Sequence, residues 1–176
     1  MREARVNQKR SISSKYTQGC QGLLPPSLKV VAAGGEPRRV WDECRNRMDR
    51  GDFDFACLVL DHDDHPTLLE VLREVSKHKN AAAVVTNPQF ELWLLLHAQD
   101  QNAAITARVL RQKVREHNLV SPQNDKELHR NFPFENFEQA HARAKSSKHY
   151  PGNGVVGDNP SSGIPWLIDL LRGDVG

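Results

Sequence analysis

The sequence contains no apolar run long enough to cross a bilayer: the longest, Leu92–Leu96, falls far short of the roughly 18–20 residues a span requires. Its N-terminus is polar and basic and lacks the apolar stretch of a secretory signal. Cysteine is scarce. Cys20, Cys44 and Cys57 are an odd number without metal-site spacing, which excludes a disulfide scaffold or a structural zinc site as the organising principle. These absences predict a cytoplasmic, reduced protein with no membrane contact. A dominant charge is missing as well: 24 Lys and Arg stand against 22 Asp and Glu, so the formal charge is only +2. Nucleic-acid-binding domains usually announce themselves with a stronger basic excess or stripe. No internal repeat is present. What remains is 176 residues, 38% hydrophobic and 26% charged, which suits one ordered domain.

Residues 1–27 show neither helical nor strand periodicity and end in Leu24-Pro25-Pro26-Ser27, so they read as a basic, irregular tail. Order is expected from Leu28 onward, as a single domain over 28–176 with an α/β part at 28–98 and a helical part at 99–176. Leu28–Ala32 is a short strand stopped by Gly34-Gly35. Pro37 opens a helix whose Val40, Trp41, Cys44 and Met48 form one apolar stripe. Phe53–Leu60 is a second strand, apolar on both faces, as befits the middle of a parallel sheet covered on each side. Pro66 opens the next helix, with Leu68, Leu69, Val71, Leu72 and Val75 inward. Ala81–Thr86 is a third strand, and Asn87-Pro88 starts a strongly apolar helix over 88–98. Strand–helix alternation of this kind predicts a small parallel sheet with right-handed crossovers and helices on both faces, Phe53–Leu60 lying between the other two strands. Further helices are expected over 103–118, 135–148 and 164–172, the last docking through Trp166, Leu167, Leu170 and Leu171; residues 150–163 read as a loop.

The strongest chemical signal is Asp61-His62-Asp63-Asp64-His65, placed where the second strand ends. Ligands of open α/β sheets bind outside the carboxyl ends of the strands. Residues two apart in an extended chain point the same way, so Asp61 and Asp63 can aim their oxygens at one point. A divalent cation relieves the repulsion of two converging carboxylates, and Mg²⁺ (or Mn²⁺) suits oxygen ligands of this type, with Asp64 as a third ligand. His62 and His65 would admit a transition metal. The competing reading is that the acidic turn simply caps the next helix. Glu91, in the first turn of the helix after the third strand, faces the same edge; its charge also suits the helix dipole with no further role. Trp93 and the leucines around it read as core, and His97 as an ordinary histidine at a helix end. Two basic stretches, Arg2 to Lys15 and His141 to His149, are solvated surface or phosphate contacts.

The strings Asp54-Phe55-Ala56-Cys57-Leu58-Val59-Leu60-Asp61-His62-Asp63-Asp64-His65 and Thr86-Asn87-Pro88-Gln89-Phe90-Glu91-Leu92-Trp93-Leu94-Leu95-Leu96-His97 resemble the RloB family. Asn159-Pro160-Ser161-Ser162 resembles a further element of that family. The resemblance runs over roughly Leu28 to Leu171. It implies a Toprim-like α/β domain associated with phage defence and abortive infection, beside an AAA-type ATPase encoded nearby, and acting on nucleic acid. Toprim chemistry pairs an acid/base glutamate after the first strand with an Asp-x-Asp pair for Mg²⁺, and Asp61 and Asp63 match the second element. The first element has no counterpart in residues 1–27. Glu36 matches a turn after the second strand of the family and does not inherit the acid/base role.

Three functions are therefore in view. One is a divalent-metal-dependent nuclease of Toprim type, with Asp61, Asp63 and Glu91 as catalytic residues and Asp61, Asp63 and Asp64 as metal ligands. A second is a non-catalytic module that binds a partner ATPase or nucleic acid. The third, a phosphotransferase of haloacid-dehalogenase type, requires a hydroxyl residue just after the Asp-x-Asp pair, and Thr67 is displaced from that place.

Overall fold

The computed structural model describes residues 4–8, 29–32, 35–62, 65–146 and 151–174. The elements in chain order are β1 (Ala4–Gln8), β2 (Lys29–Ala32), α1 (Pro37–Asp49), β3 (Phe55–Asp61), α2 (Leu68–Val75), β4 (Ala81–Asn87), α3 (Glu91–Leu95), α4 (Ala107–Glu116), a 3₁₀ turn (Phe134–Asn136), α5 (Phe137–Ser146), β5 (Ser161–Ser162) and α6 (Ile164–Arg172). The fold is α/β, as the alternating pattern predicts. The sheet runs β2-β1-β3-β4-β5. Its first four strands are parallel, and the two-residue β5 closes the β4 edge antiparallel, Thr86 opposite Ser162 and Asn87 opposite Ser161.

The strand layout needs three corrections. Residues 4–8, read as part of an irregular tail, form a strand that pairs parallel with both β2 and β3; the strand missing from the sequence pattern is present. Consequently β3 lies between β1 and β4, and β2 is displaced to the edge. The loop expected at 150–163 also contains β5. Neither new strand carries a pattern long enough to identify it: β1 has only Ala4 and Val6 alternating with Arg5 and Asn7, and β5 is two serines.

The core follows from the period of two in β3 and β4. Ala56, Leu58, Leu60, Ala81, Ala83 and Val85 pack with Val40, Trp41 and Cys44 of α1 and with Leu68, Val71, Leu72 and Val75 of α2. Cys57, Val59, Ala82 and Val84 face the other way, into a larger cluster built by α3, α4, α5 and α6. Helices thus cover both faces, which two fully buried strands require. Within α2 the inward set is spaced 68, 71, 72, 75, and Leu69, expected inward, is 57% exposed. In α6 the buried set is Ile164, Leu167 and Ile168, with Trp166 and Leu171 packed at its margin and Leu170 outside it. The helix expected over 88–98 reduces to α3, because Leu92 and Trp93 bond back only three residues, to Gln89 and Phe90, in a tight entry turn.

α1 and α2 are also latched by charge. Glu74 accepts from Arg38 at 2.8 Å and from the Trp41 indole at 2.9 Å, and these donors hold its carboxyl down at about 2.

Gly163 begins α6 against β4: a Cβ there would lie 2.8 Å from the Val84 Cβ and 3.2 Å from the Val85 amide nitrogen. Its backbone is not left-handed, so only the crowding counts. Gly163→Ala should therefore destabilise by about 1–3 kcal/mol, the usual cost of overpacking a rigid core, seen as a lower denaturant midpoint at unchanged slope.

Candidate functional site

Asp61 is the last residue of β3 and pairs with Thr86 of β4, so both strand ends stop at the same level. Its alternation places it on the α3 side of the sheet, with Cys57 and Val59. There its Oδ1 accepts the Phe90 backbone N–H at 2.9 Å. A carboxylate that accepts a backbone amide from a chain entering a helix is held in a fixed orientation by a charge-assisted bond. This one bond joins Asp61 to the Gln89-Phe90-Glu91 motif, in which half-buried Glu91 is the first residue of α3. Asp61 thus serves the entry to α3 and not the helix that follows it, whose cap residue Thr67 makes no side-chain cap bond.

Asp63 and Asp64 lie outside the described residues, and with them the convergence expected of Asp61, Asp63 and Glu91; what is in place is the bond from Asp61 to Phe90, the residue before Glu91. His62 continues the ladder past the strand, its amide donating to the Thr86 carbonyl at 2.9 Å. His65 is engaged elsewhere: its Nε2 lies 3.1 Å from Glu36 Oε2, and its Nδ1 faces the Thr67 hydroxyl at 3.0 Å and the Thr67 amide at 3.4 Å. With Nδ1 accepting from Thr67, the ring proton sits on Nε2 and points at Glu36. Glu36 therefore anchors the acidic loop to the start of α1.

The donor chemistry of this edge is mostly oxygen: Asp61 and Glu91 in the described chain, Asp63 and Asp64 next in sequence, with the His62 imidazole among them. Its nearest placed imidazole on the far side of the loop, His65, is already committed. Such a set fits a hard divalent cation such as Mg²⁺ or Mn²⁺ better than a soft one. Among the described residues alone, no three His, Cys, Asp or Glu side chains form a metal-holding group. Neither placed thiol competes as a nucleophile: burial pushes Cys44 up to about 12 and Cys57 still higher.

Residues outside the expected site turn out to frame it. Arg111 of α4 donates to Gln89 Oε1 at 3.0 Å, next to the Phe90 amide that Asp61 holds. The signal available in the sequence was the spacing of Arg108, Arg111 and Arg115 along one helix face. Asn159 clamps the residue before the α4 cap, accepting from the Ile105 amide at 3.0 Å and donating to the Ile105 carbonyl at 2.8 Å. Asn87 reaches the same loop, donating to the Gly157 carbonyl at 2.9 Å. The second basic stretch is largely spent internally. Arg143 donates to the Leu96 carbonyl at 2.7 Å, and Lys145 meets the buried Asp169 at 3.0 Å, which His141 also contacts at 2.7 Å. Of the first stretch only Arg5 falls within a described segment, β1; Arg2, Lys9, Arg10 and Lys15 lie outside, as does Lys148 of the second.

His97 belongs to the core. It is fully buried, its Nδ1 donates to the Trp93 carbonyl at 3.0 Å, and its ring packs edge-on to Trp93 and tilted on Phe132. Burial pushes its pKa down to about 4. The unfolded chain therefore binds a proton near 6.5 that the fold refuses, so stability is complete above pH 6.5 and drains away as pH falls toward 4. The loss is of the order of 3 kcal/mol over that window. His97→Gln, which retains a donor for the Trp93 carbonyl, should flatten the melting-temperature profile between pH 6.5 and 5.

A family model described as RloB-like protein matches residues 4–171, nearly the whole chain and including β1. No curated protein and no solved structure matches the chain significantly. The chain belongs to the RloB-like family.

Proposed function

We propose that this RloB-like chain is a divalent-metal-dependent phosphodiesterase of Toprim type that acts on nucleic acid in phage defence, alongside an AAA-type ATPase. The observation that carries this reading is the Asp61–Phe90 bond, which fixes a carboxylate at the carboxyl end of an interior parallel strand, beside Glu91. Open α/β sheets concentrate ligand chemistry at that edge. Asp61 and Asp63, with Asp64, would hold Mg²⁺ or Mn²⁺, whose contribution when bound is Lewis-acid stabilisation of a phosphodiester undergoing displacement. Asp61 presents its carboxylate in one orientation because the Phe90 amide restrains it. Glu91 adds negative charge at the helix start, where the dipole tolerates it. Behind the Phe90 amide the chain enters the core, where Phe90, Leu92 and Trp93 are buried.

One observation favours a second reading, a binding module that does not cut. Between Ala4 and Gly35 the chain carries no Asp or Glu, so the connection leaving β1 offers no carboxylate for acid/base work. Hydrolysis would then draw its proton transfers from another group or from solvent. Cleavage of DNA and RNA in Mg²⁺ or Mn²⁺, with and without the co-encoded ATPase, separates the two: turnover supports the enzyme, and binding without turnover the module.

The two roles of Asp61 can also be separated. Asp61→Asn keeps an oxygen for the Phe90 amide, whereas Asp61→Ala leaves that amide without its acceptor and should cost about 1–3 kcal/mol of metal-free stability. Asp61→Asn combined with Asp63→Asn should retain the metal-free melting temperature yet abolish any rise induced by Mg²⁺ or Mn²⁺, since that rise follows RT ln(1 + [L]/Kd) for a site present only in the fold. A double variant that responds to metal like the parent would place the site elsewhere.

A further inference from the structure

The helix α4 carries Arg108, Arg111, Lys113 and Arg115 against the single acid Glu116, a net +3 in a chain whose total is +2. Leu110 and Val114 bury its inner side. Arg108, Arg111, Gln112 and Arg115 occupy the exposed side, spaced so that they share one face along about 10 Å of helix. Arg115 is held by a two-pronged pair with Asp125. Arg108 and Arg111 have no acidic partner within 4.0 Å among the described residues, although Asp125 senses the field of Arg111. Arg111 instead donates to the neutral Gln89, the residue before Phe90. The helix itself is rigidly mounted, its start capped by the Thr106 hydroxyl at 3.3 Å and clamped at Ile105 by Asn159. Arg108 and Arg111, on a fixed face with no acidic partner among the described residues and with Arg111 bonded to Gln89 next to the Asp61–Phe90 bond, suit a polyanion that must be led to that edge. A carboxylate edge repels such a ligand unless cations nearby offset it.

We propose that Arg108 and Arg111 grip the phosphate backbone of a nucleic-acid strand and lay it across Gln89 onto the edge formed by Asp61 and Glu91. The reading of that edge as a phosphodiesterase supplies the purpose of this contact, while the contact itself is a binding property and is measured without metal. Both arginines are positioning residues: they touch phosphates away from the reacting one and carry no base readout.

The test uses the full chain in EDTA with a fluorescein-labelled 20-nucleotide single-stranded RNA, titrated between 50 and 200 mM KCl. Each phosphate contact contributes about 0.7 to the slope of log K against log salt on single strands, so Arg108→Gln with Arg111→Gln should lower the slope by about 1.4. The same pair changed to Lys should keep it. Arg73→Gln, on α2 across the sheet, should leave both affinity and slope at parental values. An unchanged slope in the glutamine variant, or a parent that does not bind the strand, overturns the proposal. The metal-induced melting shift, measured on the same variant, should equal that of the parent. A parent with no metal response but an intact arginine-dependent slope would leave the arginine face standing and remove the phosphodiesterase reading alone.

Discussion

Two adjacent strands with no solvent-facing side set the terms for everything else in this fold. Residues 56–60 and 81–87 are buried throughout, so the β3–β4 pair must be covered above and below, and its register cannot slip without exchanging the two faces. That locked register makes Asp61 and Thr86 neighbours at the point where both strands leave the core. The edge chemistry is thus a consequence of packing: the hydrophobic requirement that fixes Ala56 opposite Ala81 also fixes how far each strand's polar end projects.

At that edge a carboxylate would ordinarily be satisfied by water. Asp61 is satisfied by the Phe90 amide, and the exchange has two effects. It ends the entry to α3 with a donor paired that no preceding helical turn could pair. It also removes rotational freedom from a group whose orientation matters for any cation or phosphate placed there. Glu36 and His65 perform a similar service one connection away, tying the acidic loop to the start of α1. Structure and candidate chemistry draw on the same side chain at Asp61, where an oxygen serves the Phe90 amide and the charge is what a cation would use.

The parts of this architecture that were legible in the sequence are those in which burial leaves a periodic trace. β3, β4, α1 and the 164–172 helix each carry an apolar pattern strong enough to identify from the residues alone. β1 does not. Ala-Arg-Val-Asn-Gln offers only Ala4 and Val6 alternating with Arg5 and Asn7, too brief a trace to mark a strand, and its place is seen only in its backbone pairing on both sides. β5 is only Ser161-Ser162, and its signal is the hydroxyl pairing of Thr86 with Ser162 at 3.3 Å, invisible until the two segments meet. In the same way Asp61 was legible as a carboxylate at a strand end, but its bond to Phe90 was not: the residues are 29 apart and only the β3–β4 register brings them together. Periodicity reports what a segment buries and is silent about what it bonds.

The C-terminal loop shows how polar contacts finish what the apolar core begins. The segment 151–163 has little hydrophobic surface to anchor it. It is held by a series of amide contacts: Gly154 to the Ala83 carbonyl at 2.8 Å, Asn153 to the Ala83 amide at 2.9 Å, Asn87 to Gly157, and Gly163 to the Val85 carbonyl at 2.9 Å. These bonds satisfy the outer edge of β4, which would otherwise expose unpaired backbone groups to other chains. Having been fixed to β4, the loop passes its position on. Asn159 grips both polar groups of Ile105 with one side chain, so the start of α4 is referenced to the sheet through β4 and not through its own short apolar stripe. Gly157 is where this chain of references leaves no tolerance, since a Cβ there would sit 2.5 Å from the Ser161 hydroxyl. The arginine face of α4 and the carboxylate edge at Asp61 therefore keep a constant relation, because both are measured from the same strand.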